Sequence, residues 1–196
     1  MDHVHNANCS CKEYAGVENA TDLYTSIDLQ GIMCLNEEQE SSGKNVFRSE
    51  EDKFNDNDKF VSSDDPDPEL IFIIPFLSIV KLKSINIIAR NSDTGPTNLK
   101  VYINQENVDF SILETKPEEE FQIDENLDGN SYQSVRQTKF QNVSKLILHI
   151  SAENKQKISI NYIGLKGENT KMKRQIVEAI YEVKPMAAEN DPEKTI

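Results

Sequence analysis

Leu70, Ile71, Phe72, Ile73 and Ile74 form an apolar run with no polar break in a chain that is otherwise strongly polar. A run this short, rich in β-branched residues, reads as a strand covered on both faces and therefore central in a sheet. Pro75 is expected to stop it, because proline has no N–H to give to a ladder. Beyond the proline, Val80 and Leu82 alternate with Lys81 and Lys83, which predicts a second strand with one wet face. The apolar phase then slips by one at Ser84, and Ile85 and Ile87 take up the inward positions. A slip of that kind marks a β-bulge, and bulges bend sheets toward closure. Asn91, Ser92, Asp93, Thr94, Gly95 and Pro96 supply the turn that follows.

The period of two recurs along the chain. Leu99, Val101 and Ile103 alternate with Asn98, Lys100 and Tyr102, and Leu146, Leu148 and Ile150 alternate with Lys145, Ile147 and His149. Ile158, Ile160 and Tyr162 follow a turn-like break at 153–155, and this hairpin is expected to close at 163–167. Upstream, Leu23 and Ile27 lie on one side of a short helical turn, and residues 32–35 lead in as a first strand. Phe121 and Ile123 predict a short strand, Val135 points inward from a polar segment, and Val177, Ala179, Tyr181 and Val183 predict a last strand. Many short strands with no long amphipathic helix make an all-β chain, a β-sandwich or jelly roll. A length of 196 residues suits one well-buried domain. The expected organisation is a flexible N-terminal tail at 1–20, one domain at 21–184 and a flexible C-terminal tail at 185–196.

The net charge of −13 is unevenly placed: residues 37–69 hold 12 acids against 4 bases, and residues 114–128 hold 7 against 1. An acidic surface of this size repels phosphate backbones and argues against a nucleic-acid partner. No apolar run approaches the ~20 residues that cross a bilayer, so no membrane partner is expected. The N-terminus lacks a basic and then apolar leader, which points to a cytoplasmic and nuclear monomer. In such a compartment Cys9, Cys11 and Cys34 remain thiols, with no disulfide.

Few side chains suggest chemistry. His3, His5, Cys9 and Cys11 carry the usual ligand atoms for zinc or copper, but the spacing Cys9-Ser10-Cys11 is tighter than that of structural zinc sites. They read as incidental ligands on a tail, and no metal or cofactor is expected. Cys34 has no local base and an apolar flank, which makes it a buried structural cysteine rather than a nucleophile. His149, the only histidine of the expected domain, sits in mid-strand as a packed or surface residue. Residues 124–129 open like a calcium loop, but the twelfth position is Val135 and no helices flank it, so they read as a polar turn. No catalytic residue emerges, and the chain is read as not an enzyme. The local excess of positive charge is Lys166, Lys171, Lys173 and Arg174, with Glu168 as its one acid, expected just after a strand ending at Gly167. These bases either steer an acidic partner or balance the acidic loops, and sequence leaves both open.

Several segments taken together resemble a PITH domain, the module named as the proteasome-interacting thioredoxin domain. They are Ile27-Asp28, Cys34-Leu35-Asn36-Glu37, Lys59-Phe60-Val61 with Ser63-Asp64, the central stretch from Glu69-Leu70 through Val80-Lys81-Leu82, Leu99-Lys100-Val101-Tyr102-Ile103-Asn104, Lys139-Phe140-Gln141-Asn142-Val143, and Tyr162-Ile163-Gly164-Leu165-Lys166-Gly167-Glu168. The resemblance spans 22–183. It implies a jelly-roll β-sandwich similar to galactose-binding-like modules and a non-enzymatic protein that associates with the proteasome regulatory particle. Members joined to a thioredoxin domain carry a Cys-x-x-Cys redox site, which Cys9-Ser10-Cys11 is not. The chain therefore looks like the stand-alone type, and no oxidoreductase activity is carried over. Asp65-Pro66-Asp67-Pro68 departs from the family pattern. The alternative reading is a jelly roll that grips a small polar ligand or glycan in loops at one end, and a third is metal handling by the N-terminal tail.

Overall fold

In the computed structural model, which describes residues 20–55 and 58–173, a single strand of 21 residues, β4 (Glu69–Ala89), runs through the middle of the molecule. The other strands are β1 (Thr21–Asp22), β2 (Met33–Leu35), β3 (Val61–Ser62), β5 (Asn98–Ile103), β6 (Glu119–Gln122), β7 (Tyr132–Ser134), β8 (Val143–Ser151) and β9 (Ser159–Lys173). All pairings are antiparallel, in the order β1-β9-β4-β8-β5-β6, with β2 and β7 also on β4 and β3 on β9.

β4 reaches across the structure by changing partners. Its first part pairs with β8 from Glu69↔Ser151 to Pro75↔Lys145, and its later part pairs with β9 from Ser78↔Lys173 to Ala89↔Ile160. Pro75 therefore does not end the strand, contrary to the reading from sequence. The donor it lacks falls where regular pairing with β8 stops, the register shifts before Val80, and the Pro75 carbonyl accepts from the Asp28 N–H at 2.9 Å. The slip expected at Ser84 is present: Leu82 opposes Gly167 and Ser84 opposes Lys166, which leaves Lys83 as the extra residue of a bulge. Lys83 was expected on the wet face beside Lys81. Instead it is buried, with Nζ 2.6 Å from the Glu168 carboxylate, so the charge is paired where it leaves water.

The main core gathers alternate residues of β4, β5, β8 and β9, with Phe47 edge-on to Phe72 at 5.9 Å between ring centres. On the reverse side, Ile71, Tyr102, Ile112 and Ile147 form a second cluster, to which the 3-10 turn Phe110–Glu114 contributes Ile112. Tyr102 and Ile147, expected to face water, are buried for that reason. Alternation alone does not reveal a cover supplied by a distant turn.

β9 also departs from expectation, since it runs through Gly164 and Gly167 to Lys173 instead of closing at 163–167. Gly167 permits a close approach rather than a turn: a Cβ there would collide with the Lys81 carbonyl oxygen. Residues 37–68, the acid-rich segment, hold two 3-10 turns, Ser42–Val46 and Glu50–Asp52, and β3. Val46, Phe47 and Val61 anchor this segment in the core, and the Arg48 guanidinium donates to the carbonyls of Asn45, Lys59 and Asn161 at 2.7, 3.1 and 2.9 Å. Residues 65–68, which depart from the family pattern, begin as a turn in which the Asp67 N–H donates to Asp64 O. The tail with His3, His5, Cys9 and Cys11, Arg174, the strand expected at 177–183 and the tail at 185–196 lie outside the described residues. No helix among the described residues is long and apolar enough to cross a membrane.

Candidate interaction surface

The chemistry-bearing side chains are held apart. The Cys34 thiol is pushed well above its ordinary pKa by burial and then by the Glu37 carboxylate, which keeps it protonated and a poor nucleophile. His149 Nε2 lies 2.8 Å from Glu69 Oε2, while among the described residues its buried Nδ1 meets no partner and no hydroxyl or thiol is hydrogen-bonded to the ring. Within the segment that opens like a calcium loop, the buried Asn126 amide donates to Asn86 Oδ1 and Ile87 O, both at 2.8 Å, so it pins the turn to β4. Among the described residues no three His, Cys, Asp or Glu side chains are grouped to hold a metal ion.

The predicted basic island is divided by the fold. All its described members lie on β9 rather than after it, because β9 extends to Lys173. Lys166 is committed internally: Nζ sits 2.7 Å from Glu50 Oε1 and 4.6 Å from the centre of the Tyr132 ring, and the Tyr132 hydroxyl donates to the same carboxylate oxygen at 2.7 Å. Burial alone would raise the Glu50 carboxyl, but the Lys166 ammonium and the Tyr132 hydroxyl bring it below its ordinary value. A carboxyl lowered in the folded state adds stability that is complete above the ordinary carboxylate range and is lost as pH falls through the lowered value. The Glu50→Gln variant is accordingly expected to be less stable than the parent near neutrality, with the difference disappearing in acid. Urea melts across pH check this, and a difference independent of pH would remove Glu50 from the linkage.

Lys171 is different. Its side chain is exposed and meets no acid among the described residues. Its backbone has φ 59°, the left-handed region, in a wide irregularity of the β4–β9 ladder: Ser78 opposes Lys173 and Val80 opposes Asn169, so residues 170–172 face Ile79 alone. The Asn169 side chain holds this bulge in shape. Its Oδ1 accepts from the Ser78 hydroxyl at 2.9 Å and the Lys171 N–H at 2.7 Å, and its Nδ2 donates to Ser26 Oγ at 2.9 Å. On either side of the Ser78–Lys173 pair, Leu77 and Met172 are 61% and 53% exposed. The ladder in and next to this braced bulge thus carries two exposed large apolar side chains and an ammonium that meets no acid among the described residues. Sequence reading passed over Leu77 and Met172. The available signal was that neither fits the alternation around it.

A family model described as "PITH domain" matches residues 13–185. "PITH domain-containing protein 1" of Xenopus laevis is 40% identical over 183 residues, covering 89% of this chain and 85% of that protein. The protein of the same description from Homo sapiens is 38% identical, covering 79% of this chain and 73% of its own length. Among solved structures, the family 32 CBM from C. perfringens NanJ in complex with galactose superposes with a TM-score of 0.52 at 13% identity, over 75% of this chain and 98% of that one. CBM32-3 from a family 31 glycoside hydrolase of Clostridium perfringens gives 0.50 at 18% identity, over 79% and 98%. At these identities the likeness is one of fold: the curled antiparallel sheet is a galactose-binding-domain-like jelly-roll β-sandwich.

Proposed function

Since the chain belongs to the PITH domain family, we propose that it is a non-enzymatic protein-interaction module that binds the proteasome regulatory particle. The observation that carries this reading is the braced β4–β9 bulge, which presents Leu77, Met172 and Lys171 to solvent without a partner among the described residues. The partner is proposed from the family resemblance, and the exposed surface supports a means of contact. Exposed apolar anchors give affinity on burial, and a basic rim speeds encounter with an acidic surface. Such a partner would place the protein, as a monomer, in the cytosol and nucleus.

Leu77→Asp combined with Lys171→Glu is expected to weaken binding to purified proteasome regulatory particle by about tenfold or more. Melting should be unchanged, because both side chains are exposed. Biolayer interferometry against the immobilised module reads the first effect and thermal unfolding the second. Unaltered binding would move the contact face elsewhere, with the acidic segment 37–68 as the next candidate.

A further inference from the structure

At the C-terminal end of β4, roughly 40 Å along the strand from Leu77 at about 3.3 Å per residue, Ile88, Ala89, Arg90, Asn161, Phe54 and Leu127 line an open cavity of about 340 Å³. We propose that this cavity binds a peptide segment of a partner protein that carries a carboxylate beside a large apolar side chain. The proposal stands apart from the Leu77 surface and does not depend on it.

The wall has three features that fit such a ligand. The Arg90 guanidinium lies over the Phe60 ring, with Cζ 3.4 Å from its centre, and it pairs with no carboxylate among the described residues. In a chain of net charge −13 that is an unusual state for an arginine. The stacking fixes the plane of the fork and leaves its N–H groups for a carboxylate, which they suit bidentately. Next, Phe54 and Leu127 remain 49% and 42% exposed at the cavity, an apolar surface that an incoming side chain would cover. Third, Asn161 is placed by a bulge: Ile88 opposes Tyr162 and Ala89 opposes Ile160, so Asn161 is the unpaired extra residue. Its side chain is 6% exposed, and its Oδ1 meets no donor. Turned into the cavity, this oxygen would accept from a peptide N–H.

The cavity is held in shape without a ligand. Arg48 donates to the Asn161 carbonyl at 2.9 Å, and Lys53 Nζ donates to the Gly129 carbonyl at 3.3 Å. Gly129, at φ 69°, lets Phe54 and Ile88 close in where a Cβ would stand 3.2 and 2.8 Å from them. A sugar would need several polar side chains converging on its hydroxyls. Of the six residues that line this wall, only Arg90 and Asn161 are polar, which favours the acidic and apolar peptide.

The probe is the unlabelled peptide Gly-Ser-Glu-Phe-Ser-Gly, titrated into the 15N-labelled full chain and followed by the amide shifts of Ala89, Arg90, Leu127 and Asn161. Saturable shifts are expected. Replacing the peptide's Glu by Gln, or its Phe by Ala, should weaken binding by about tenfold, as should Arg90→Gln or Leu127→Ser in the protein. Leu77→Asp should leave it unchanged, which separates this site from the regulatory-particle surface. The proposal is overturned by absent shifts at these four amides, by equal affinity for the Gln peptide, or by galactose producing the shifts when the peptide does not. If Arg90→Gln fails to fold, the Gln-for-Glu peptide on the unaltered protein decides the matter.

Discussion

The Leu148→Ala variant is expected to lose about 2–5 kcal/mol of stability, a large share of the ~5–15 kcal/mol of an ordinary domain. Leu148 is fully buried on β8, where it is paired with Phe72 on one side and Val101 on the other. Truncation removes the transfer energy of its branched end and leaves a cavity between two paired strands, which close packing prevents from collapsing. Ile73→Ala, buried one residue further along β4, should behave alike. Leu77→Ala is the control: at 61% exposure its loss should stay within about 0.5 kcal/mol. Urea unfolding measures all three, with a lowered midpoint and an unchanged slope expected for the buried pair. Equal midpoints for Leu148→Ala and Leu77→Ala would remove Leu148 from the core.

The parts of the fold that could be read in the sequence are those set by local pattern. Leu70 to Ile74 are buried, as an unbroken apolar run predicts, and the one-residue slip at Ser84 is a bulge in the ladder. What escaped reading is set by distant chain. Pro75 is tolerated because β4 changes partner there and Asp28, 47 positions earlier, uses its carbonyl. Tyr102 is buried in a cluster completed by Ile112, which no alternation within β5 can announce. The glycines of β9 resemble turn residues to a local reading. Only the position of Lys81 on the neighbouring strand shows that Gly167 is there for close packing.

The candidate surfaces were less legible for the same reason. Lys166 belonged to a visible basic cluster, yet Glu50 and Tyr132 remove it from the surface through contacts across 116 and 34 positions. Lys171 was identified, but the Leu77 and Met172 that give it context belong to two strands far apart in sequence that meet only in the β4–β9 ladder. The cavity draws Phe54, Arg90, Leu127 and Asn161 from four separate segments. None of them has a distinctive local motif, and that Arg90 meets no carboxylate among the described residues depends on what the fold keeps away from it. Charge counts place acids and bases along the chain, while fold decides which of them meet.

Gly167→Ala tests the tightest of these approaches, and two effects of opposite sign compete in it. Replacing glycine reduces the freedom of the unfolded chain and would by itself stabilise by about 0.4–1 kcal/mol. Against that, the added Cβ enters the space of the Lys81 carbonyl oxygen and comes within 3.0 Å of Leu23 Cδ1. The oxygen belongs to backbone held in the β4–β9 ladder beside the Lys83 bulge, and the Gly167 carbonyl is itself engaged by the Thr21 hydroxyl at 3.2 Å. Neither strand can move without disturbing its pairing, so overpacking of about 1–3 kcal/mol or more is expected to win, and the variant should be destabilised. Gly95→Ala provides the contrast, since its Cβ would meet nothing closer than the Ala89 side chain at 3.4 Å, and near-neutral stability is expected. A Gly167→Ala protein that melts at or above the parent temperature would mean that β9 does not approach β4 this closely in solution.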